Sequence, residues 1–137
     1  MIGILIVTHE KLGDVLIDAA EFILGERPQA VEPVSINLAE DVELLRGRIE
    51  KAIKKVNHNR GVLILTDMFG GTPSNLSYSF LEEGRVEVLT GVNLPIVIKA
   101  ITARENQKLA DLAQNLETYG KKSIALASSI LKGNKRA

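Results

Sequence analysis

Three observations predict an α/β fold, with a mostly parallel central sheet and helices on both of its faces. Short, nearly continuous apolar runs of strand length recur along the chain, as in Ile2–Val7 and Val62–Thr66. Stretches with apolar residues at helical spacing alternate with them. Glycine-bearing or polar turns separate the two kinds of segment.

The elements follow in order. Ile2–Val7 reads as a strand buried on both faces. Leu12, Val15, Leu16, Ala19, Ala20, Ile23 and Leu24 form a helical stripe, and Gly25 stands where that helix should stop. Val31–Ile36 is a weaker strand. Val42, Leu45, Ile49, Ala52, Ile53 and Val56 make a second stripe, and Gly61 leads into the strand Val62–Thr66. A helix is expected from about Pro73 to Glu83, then a strand at Val86–Thr90. The loop Gly91–Pro95 enters helical material broken near Thr102. Leu109, Leu112, Ala113 and Leu116 form the last stripe, which Gly120 should end. Ser123–Ala127 is a candidate final strand, the one that could run antiparallel to the rest. Residues 1–131 are expected to form one domain, with a frayed tail at 132–137.

Composition narrows the function. Hydrophobic residues make up 45% of the 137 residues, enough to bury a core at this size. Seventeen Lys and Arg balance 17 Asp and Glu, which argues against a nucleic-acid partner. With no cysteine, a disulfide scaffold, a thiolate metal site and a cysteine nucleophile are excluded. No apolar run approaches the ~18 residues that a membrane span needs. The first residues lack a secretory pattern. A cytoplasmic protein, not inserted in a membrane, is expected.

Parallel sheets of this kind bind ligands beyond the carboxyl ends of their strands. Two such ends carry notable residues: Thr8-His9 after the first strand, and Asp67 after the third. A lone histidine in a loop is more often a cap or a solvated side chain. A carboxylate from a neighbouring strand end changes that balance. It can accept a hydrogen bond from one ring nitrogen and leave the other with an outward lone pair, an oriented nucleophile. Asp67 by itself would be explained as a turn cap. His58, in the polar turn Asn57–Arg60, reads as structural or solvent-facing.

Met68-Phe69-Gly70-Gly71-Thr72-Pro73-Ser74 follows Asp67. Thr72 is a good N-cap and Pro73 a good first helical residue. Gly70 and Gly71 allow a sharp turn and close approach of a ligand. With the hydroxyls of Thr72 and Ser74, the helix start would form an anion site. A plain tight turn before a capped helix explains the glycines equally well. Neither a P-loop nor a dinucleotide fingerprint occurs. Taken together, a ring nitrogen, an orienting acid and an anion cradle describe a histidine that carries a phosphoryl group. Direct transfer from a donor requires no metal, and no cofactor is expected.

The stretches I-G-I-L-I-V-T-H, L-T-D-M-F-G-G-T-P-S-N and T-G-V-N-L-P resemble the mannose-type enzyme IIA of the bacterial phosphoenolpyruvate-dependent sugar phosphotransferase system. The likeness spans roughly Met1 to Ala127. It implies that His9 accepts a phosphoryl group at Nε2 from the phosphocarrier protein HPr and passes it to a IIB domain, for sugar uptake and phosphorylation. It implies that Asp67 is the orienting carboxylate, that Gly70, Gly71, Thr72 and Ser74 hold the phosphate, and that Val92–Pro95 lines the same edge. It also implies a homodimer, in some members with the last strand exchanged. One position departs from the family, which often has glycine after the histidine where this chain has Glu10. A carboxylate there should repel the phosphoryl group, or else favour the start of the following helix.

Rival readings have less in their favour. A receiver-like domain phosphorylated on Asp67 needs two acids after the first strand, where Thr8-His9-Glu10 stands. A Ser74–His9–Asp67 hydrolase lacks the G-x-S-x-G elbow. A regulatory phosphorelay, or an interaction module without a transport role, remains an alternative.

Overall fold

Alternation along the central strand decides how the chain is layered. In a strand, successive side chains point to opposite faces. In β1 (Gly3–His9), Ile4 and Ile6 therefore join one core and Leu5 and Val7 the other. The computed structural model describes residues 1–132. β1 lies between β2 (Val31–Ile36) and β3 (Val62–Thr66), and β4 (Val86–Thr90) adds to β3. All three pairings are parallel and give the order β2-β1-β3-β4. Residues of β1 and β3 are almost wholly buried, as a two-sided parallel sheet requires.

Helices cover both faces. On one side α1 (Leu12–Leu24), α4 (Leu94–Ala103) and α5 (Leu109–Lys122) bury Ile17, Ala20, Val97, Ala100, Leu112 and Leu116 against Ile4, Ile6, Leu63 and Leu65. On the other, α2 (Val42–Val56) and α3 (Thr72–Tyr78) bury Leu45, Ile49, Val56 and Leu76 against Leu5, Val7, Val62 and Ile64. The stripes expected in α2 and α5 supply most of the residues buried there, but α1 is turned from its expected stripe: Gly13, Ile17 and Ala20 are buried, while Leu12, Val15 and Ile23 are exposed. Gly25 caps α1 in the left-handed conformation, φ 86°, that glycine adopts without strain.

Four further expectations need correction. The helix expected to reach Glu83 ends at Tyr78, because Ser79, Phe80 and Leu81 close i→i−3 bonds and the chain turns toward β4. Its N-cap is Gly71, with Thr72 already helical. Gly120 does not end α5. It is buried within the helix, where an added Cβ would lie 2.6 Å from Ile96 Cδ1, so close packing of α5 on α4 selects glycine there. The candidate final strand Ser123–Ala127 pairs with no strand among the described residues. Ser123–Leu126 is irregular, and the short helix α6 (Ala127–Leu131) follows. With α5 running to Lys122, the segment leaves the sheet face and exposes Ile124, Leu126 and Leu131. The tail expected to fray lies, from residue 133 onward, outside the described residues.

Candidate functional site

The chain leaves β1 for one sheet edge through α1, and later crosses to the other side of β1 to enter β3. The carboxyl ends of β1 and β3 therefore flank the point where strand order reverses, and the crevice opens there. The register sets Val7 opposite Thr66, so His9 and Asp67 emerge side by side.

Asp67 and His9 meet twice. Asp67 Oδ2 accepts the His9 backbone N–H at 2.9 Å and lies 2.8 Å from His9 Nδ1. A carboxylate only accepts, so Nδ1 carries a proton, and the tautomer this selects has its lone pair at Nε2. Nε2 has no hydrogen-bond partner among the described residues. The other oxygen, Oδ1, accepts the Met68 N–H at 2.9 Å. Burial by itself would raise the Asp67 pKa. The His9 backbone N–H, the His9 ring and the Met68 N–H outweigh it and hold the carboxyl below its ordinary 3.8. Asp67 is thus an anion at neutral pH, with only 11% of its side chain exposed, while His9 keeps 34% open to solvent.

The glycine turn stands directly over this ring. A Cβ on Gly71 would lie 2.8 Å from His9 Cε1 and 3.3 Å from Nε2. The space beside the free nitrogen exists because residue 71 has no side chain. Gly70 is different: it has open space around it but φ 87°, so the turn itself requires glycine. Met68 and Phe69 are both exposed at this turn, and Phe69 packs at 6.0 Å between ring centroids on Tyr78.

Ser74 takes a different place from the one its type suggested. It is fully buried, its hydroxyl donates to the Met68 carbonyl, and it lies 2.8 Å from Thr66 Oγ1. Thr66 Oγ1 also lies 3.0 Å from Thr90 Oγ1, which lies 3.0 Å from the Tyr78 hydroxyl. This hydroxyl chain ties the Asp67–Met68 turn to β3, β4 and α3. The Ser74 hydroxyl therefore bonds inward, to the loop. It is equally committed away from any triad with His9. The 66↔90 pairing of two threonines was the available signal, hidden because neither residue stands out alone.

Two more residues support the edge. Thr8, fully buried, accepts the Gly13 N–H on its hydroxyl at 2.9 Å and so fixes how α1 leaves β1. Gly91 and Val92 both donate to the Thr66 carbonyl at 2.9 Å, and the Asn93 side chain caps α4 by accepting the Ile96 N–H. This brings the Val92–Pro95 loop to the same edge, as expected. His58 lies in an exposed turn at the end of α2 and takes no part.

A family model described as "PTS system fructose IIA component" matches residues 3–117. The fructose-specific EIIA component of the phosphotransferase system of Bacillus subtilis (strain 168) is 33% identical, over 100% of this chain and 94% of its own length. The mannose-specific EIIAB component of Escherichia coli (strain K12) is 32% identical over 80% of this chain, which spans 34% of that longer protein. Among solved structures, the phosphotransferase system component EIIA from Streptococcus agalactiae superposes with a TM-score of 0.83 at 26% identity, covering 94% of this chain and 99% of its own.

Proposed function

We propose that His9 is the phosphoryl acceptor of this chain, which belongs to the mannose-type EIIA family of the sugar phosphotransferase system and so has a phosphotransfer role. The single observation that carries this reading is the 2.8 Å contact between Asp67 Oδ2 and His9 Nδ1, which directs the Nε2 lone pair into the gap under Gly71.

The step is a displacement at phosphorus. Nε2 attacks the phosphoryl group of phospho-HPr, an Nε2–P bond forms, and the donor's N–P bond breaks, with the electron pair leaving on the donor's imidazole. Nδ1 keeps its proton. The ring gains positive charge, which the Asp67 carboxylate stabilises at contact distance. Backbone of the Gly70–Thr72 turn, beside Nε2, receives the phosphoryl oxygens. The same geometry run in reverse delivers the group to a IIB domain. Because no bond to oxygen must be broken, positioning and charge stabilisation suffice.

Incubation with phosphoenolpyruvate, enzyme I and HPr should label the protein with acid-labile, base-stable phosphate, the stability pattern of a phosphohistidine. His9→Ala should take up none. Label retained on His9→Ala, or found on His58, sinks the assignment.

We read the assembled state as a homodimer. Ile124, Leu126 and Leu131 are exposed in the segment that follows α5, so an apolar surface is left for a second copy to cover. Light scattering at micromolar concentration tests it, and a monomer mass rejects it.

A further inference from the structure

Glu10 stands in a backbone conformation that favours glycine, φ 49°. Its neighbours fix that angle. Its N–H donates to the Ile36 carbonyl at the end of β2 at 3.0 Å, and its own carbonyl accepts from the Thr8 hydroxyl at 3.4 Å. The side chain is exposed, one residue from His9.

A glutamate here is disfavoured twice. A side chain crowds the left-handed backbone. A negative charge beside the acceptor of a phosphoryl group repels that group as it arrives. Among the described residues no ion pair offsets these costs, since the Glu10 carboxylate has no such partner. It contributes little to α1, whose N-cap is Lys11 and whose first-turn acid is Asp14, so Glu10 lies outside the turn where the helix dipole favours an anion. A strained, charged residue at the mouth of a site points outward, to what docks there.

We propose that Glu10 is a specificity-determining residue, which pairs with a lysine or arginine on the protein that donates phosphoryl to His9. The cation neutralises Glu10 on docking, so the repulsion is removed when the phosphoryl group crosses. A donor lacking a cation at that place meets the repulsion in full. This rests on His9 as acceptor.

The test measures initial rates of His9 labelling against the concentration of phospho-HPr, kept phosphorylated by enzyme I and phosphoenolpyruvate. Wild type, Glu10→Gln and Glu10→Gly are compared at low and high salt. Both variants should raise KM by about fivefold at low salt with kcat not reduced, the size of a modest interfacial ion pair. That gap should close at high salt. Glu10→Gly should also melt a few degrees higher, because glycine relieves the backbone, so weaker docking cannot be ascribed to unfolding. A KM that stays the same or falls in both variants, on a protein that labels normally, overturns this inference and leaves His9 as acceptor. Absence of label on the wild-type protein overturns both.

Discussion

The two ends of the sheet hold polar side chains in opposite ways. At the amino end, Arg104 is 4% exposed and donates to the carbonyls of Ile2, Ala30 and Gln29, tying the starts of β1 and β2 to the turn after α4. Burial lowers its pKa, with Glu105 opposing. Next to it, Gly3 packs so tightly on Val56 that a Cβ would lie 2.2 Å from the Val56 carbonyl oxygen. Donors and acceptors there close on one another. At the carboxyl end, the same kind of backbone anchoring holds Asp67 and Met68, but the bonding stops one atom short and leaves His9 Nε2 open. The amino end closes its polar groups on one another; the carboxyl end is held so that one ring nitrogen is left free.

The comparison breaks most clearly at Asp67. Asp67→Asn keeps the shape, yet an amide can donate as well as accept and carries no charge to stabilise the phosphorylated ring. Loss of an orienting acid in hydrolase triads costs up to ~10⁴ in rate. A drop of several orders of magnitude in His9 labelling, with an unchanged circular dichroism spectrum, is expected. Unchanged rates would reduce Asp67 to a turn cap. The same residue sets an acid-side dependence. Its folded-state pKa lies below the ordinary 3.8. Its contribution to stability is therefore present above that value and lost as pH falls through the lower folded-state value. The stability gap between wild type and Asp67→Asn, from urea midpoints, should narrow as pH falls below about pH 3.8.

The two glycines of the turn sharpen the contrast within the carboxyl end. Gly71 has φ −90°, which alanine tolerates, but its Cβ would sit 2.8 Å from the His9 ring. Gly71→Ala should leave stability nearly intact and slow labelling by about 10²-fold, the order of loss expected for a misplaced reacting group. Gly70→Ala should do the reverse. It has room but the wrong φ, so about 1 kcal/mol of stability should go and labelling should change little. Equal effects of the two changes would show that the turn acts only as a hinge.

Much of this was legible in the sequence, and what was not has particular causes. β1 and β3 announce themselves because strands buried on both faces must be apolar throughout. The placement of His9 and Asp67 on one edge follows from parallel topology alone. Gly120 misleads because glycine usually stops a helix, and here contact with Ile96 outweighs its backbone cost. The Glu10 conformation leaves no periodic trace, since a single left-handed residue changes no spacing. Ser74 has the right residue type for an anion site, but the side of α3 it occupies turns its hydroxyl into the core.

At the amino end, Arg104→Met tests holding without reacting. Methionine fills much of the volume but donates no hydrogen bond, and three carbonyls lose this donor, although that of Ala30 keeps the Ile4 N–H. A bond to a charged donor contributes about 1.5–3 kcal/mol, and part of the loss is recovered because the buried charge is removed as well. A net loss of about 2 kcal/mol in urea unfolding is expected, with His9 labelling at the wild-type rate. Slower labelling would mean that the two ends are coupled through β1.

The smallest expected effect is at Ser74, which belongs to both descriptions. Its hydroxyl is buried and donates to the Met68 carbonyl, while Met68 N–H holds Asp67. Ser74→Ala removes that donor and leaves the Met68 carbonyl and the Thr66 hydroxyl short of a partner. Thr66 still reaches Thr90, so the hydroxyl chain is shortened and not dissolved. The cost in stability should be about 1 kcal/mol. If Ser74 acts by anchoring the turn, labelling should slow only severalfold, and the KM for phospho-HPr should stay unchanged, because no docking surface is touched. Ser74→Thr should restore much of both, since it keeps the hydroxyl. If instead the Ser74 hydroxyl contacts the phosphoryl group, Ser74→Ala should slow labelling far more than its stability loss suggests, and should speed hydrolysis or loss of the phosphate from His9. Measuring the lifetime of the labelled protein beside its denaturation midpoint separates the two, and the inward bonds of Ser74 favour the first.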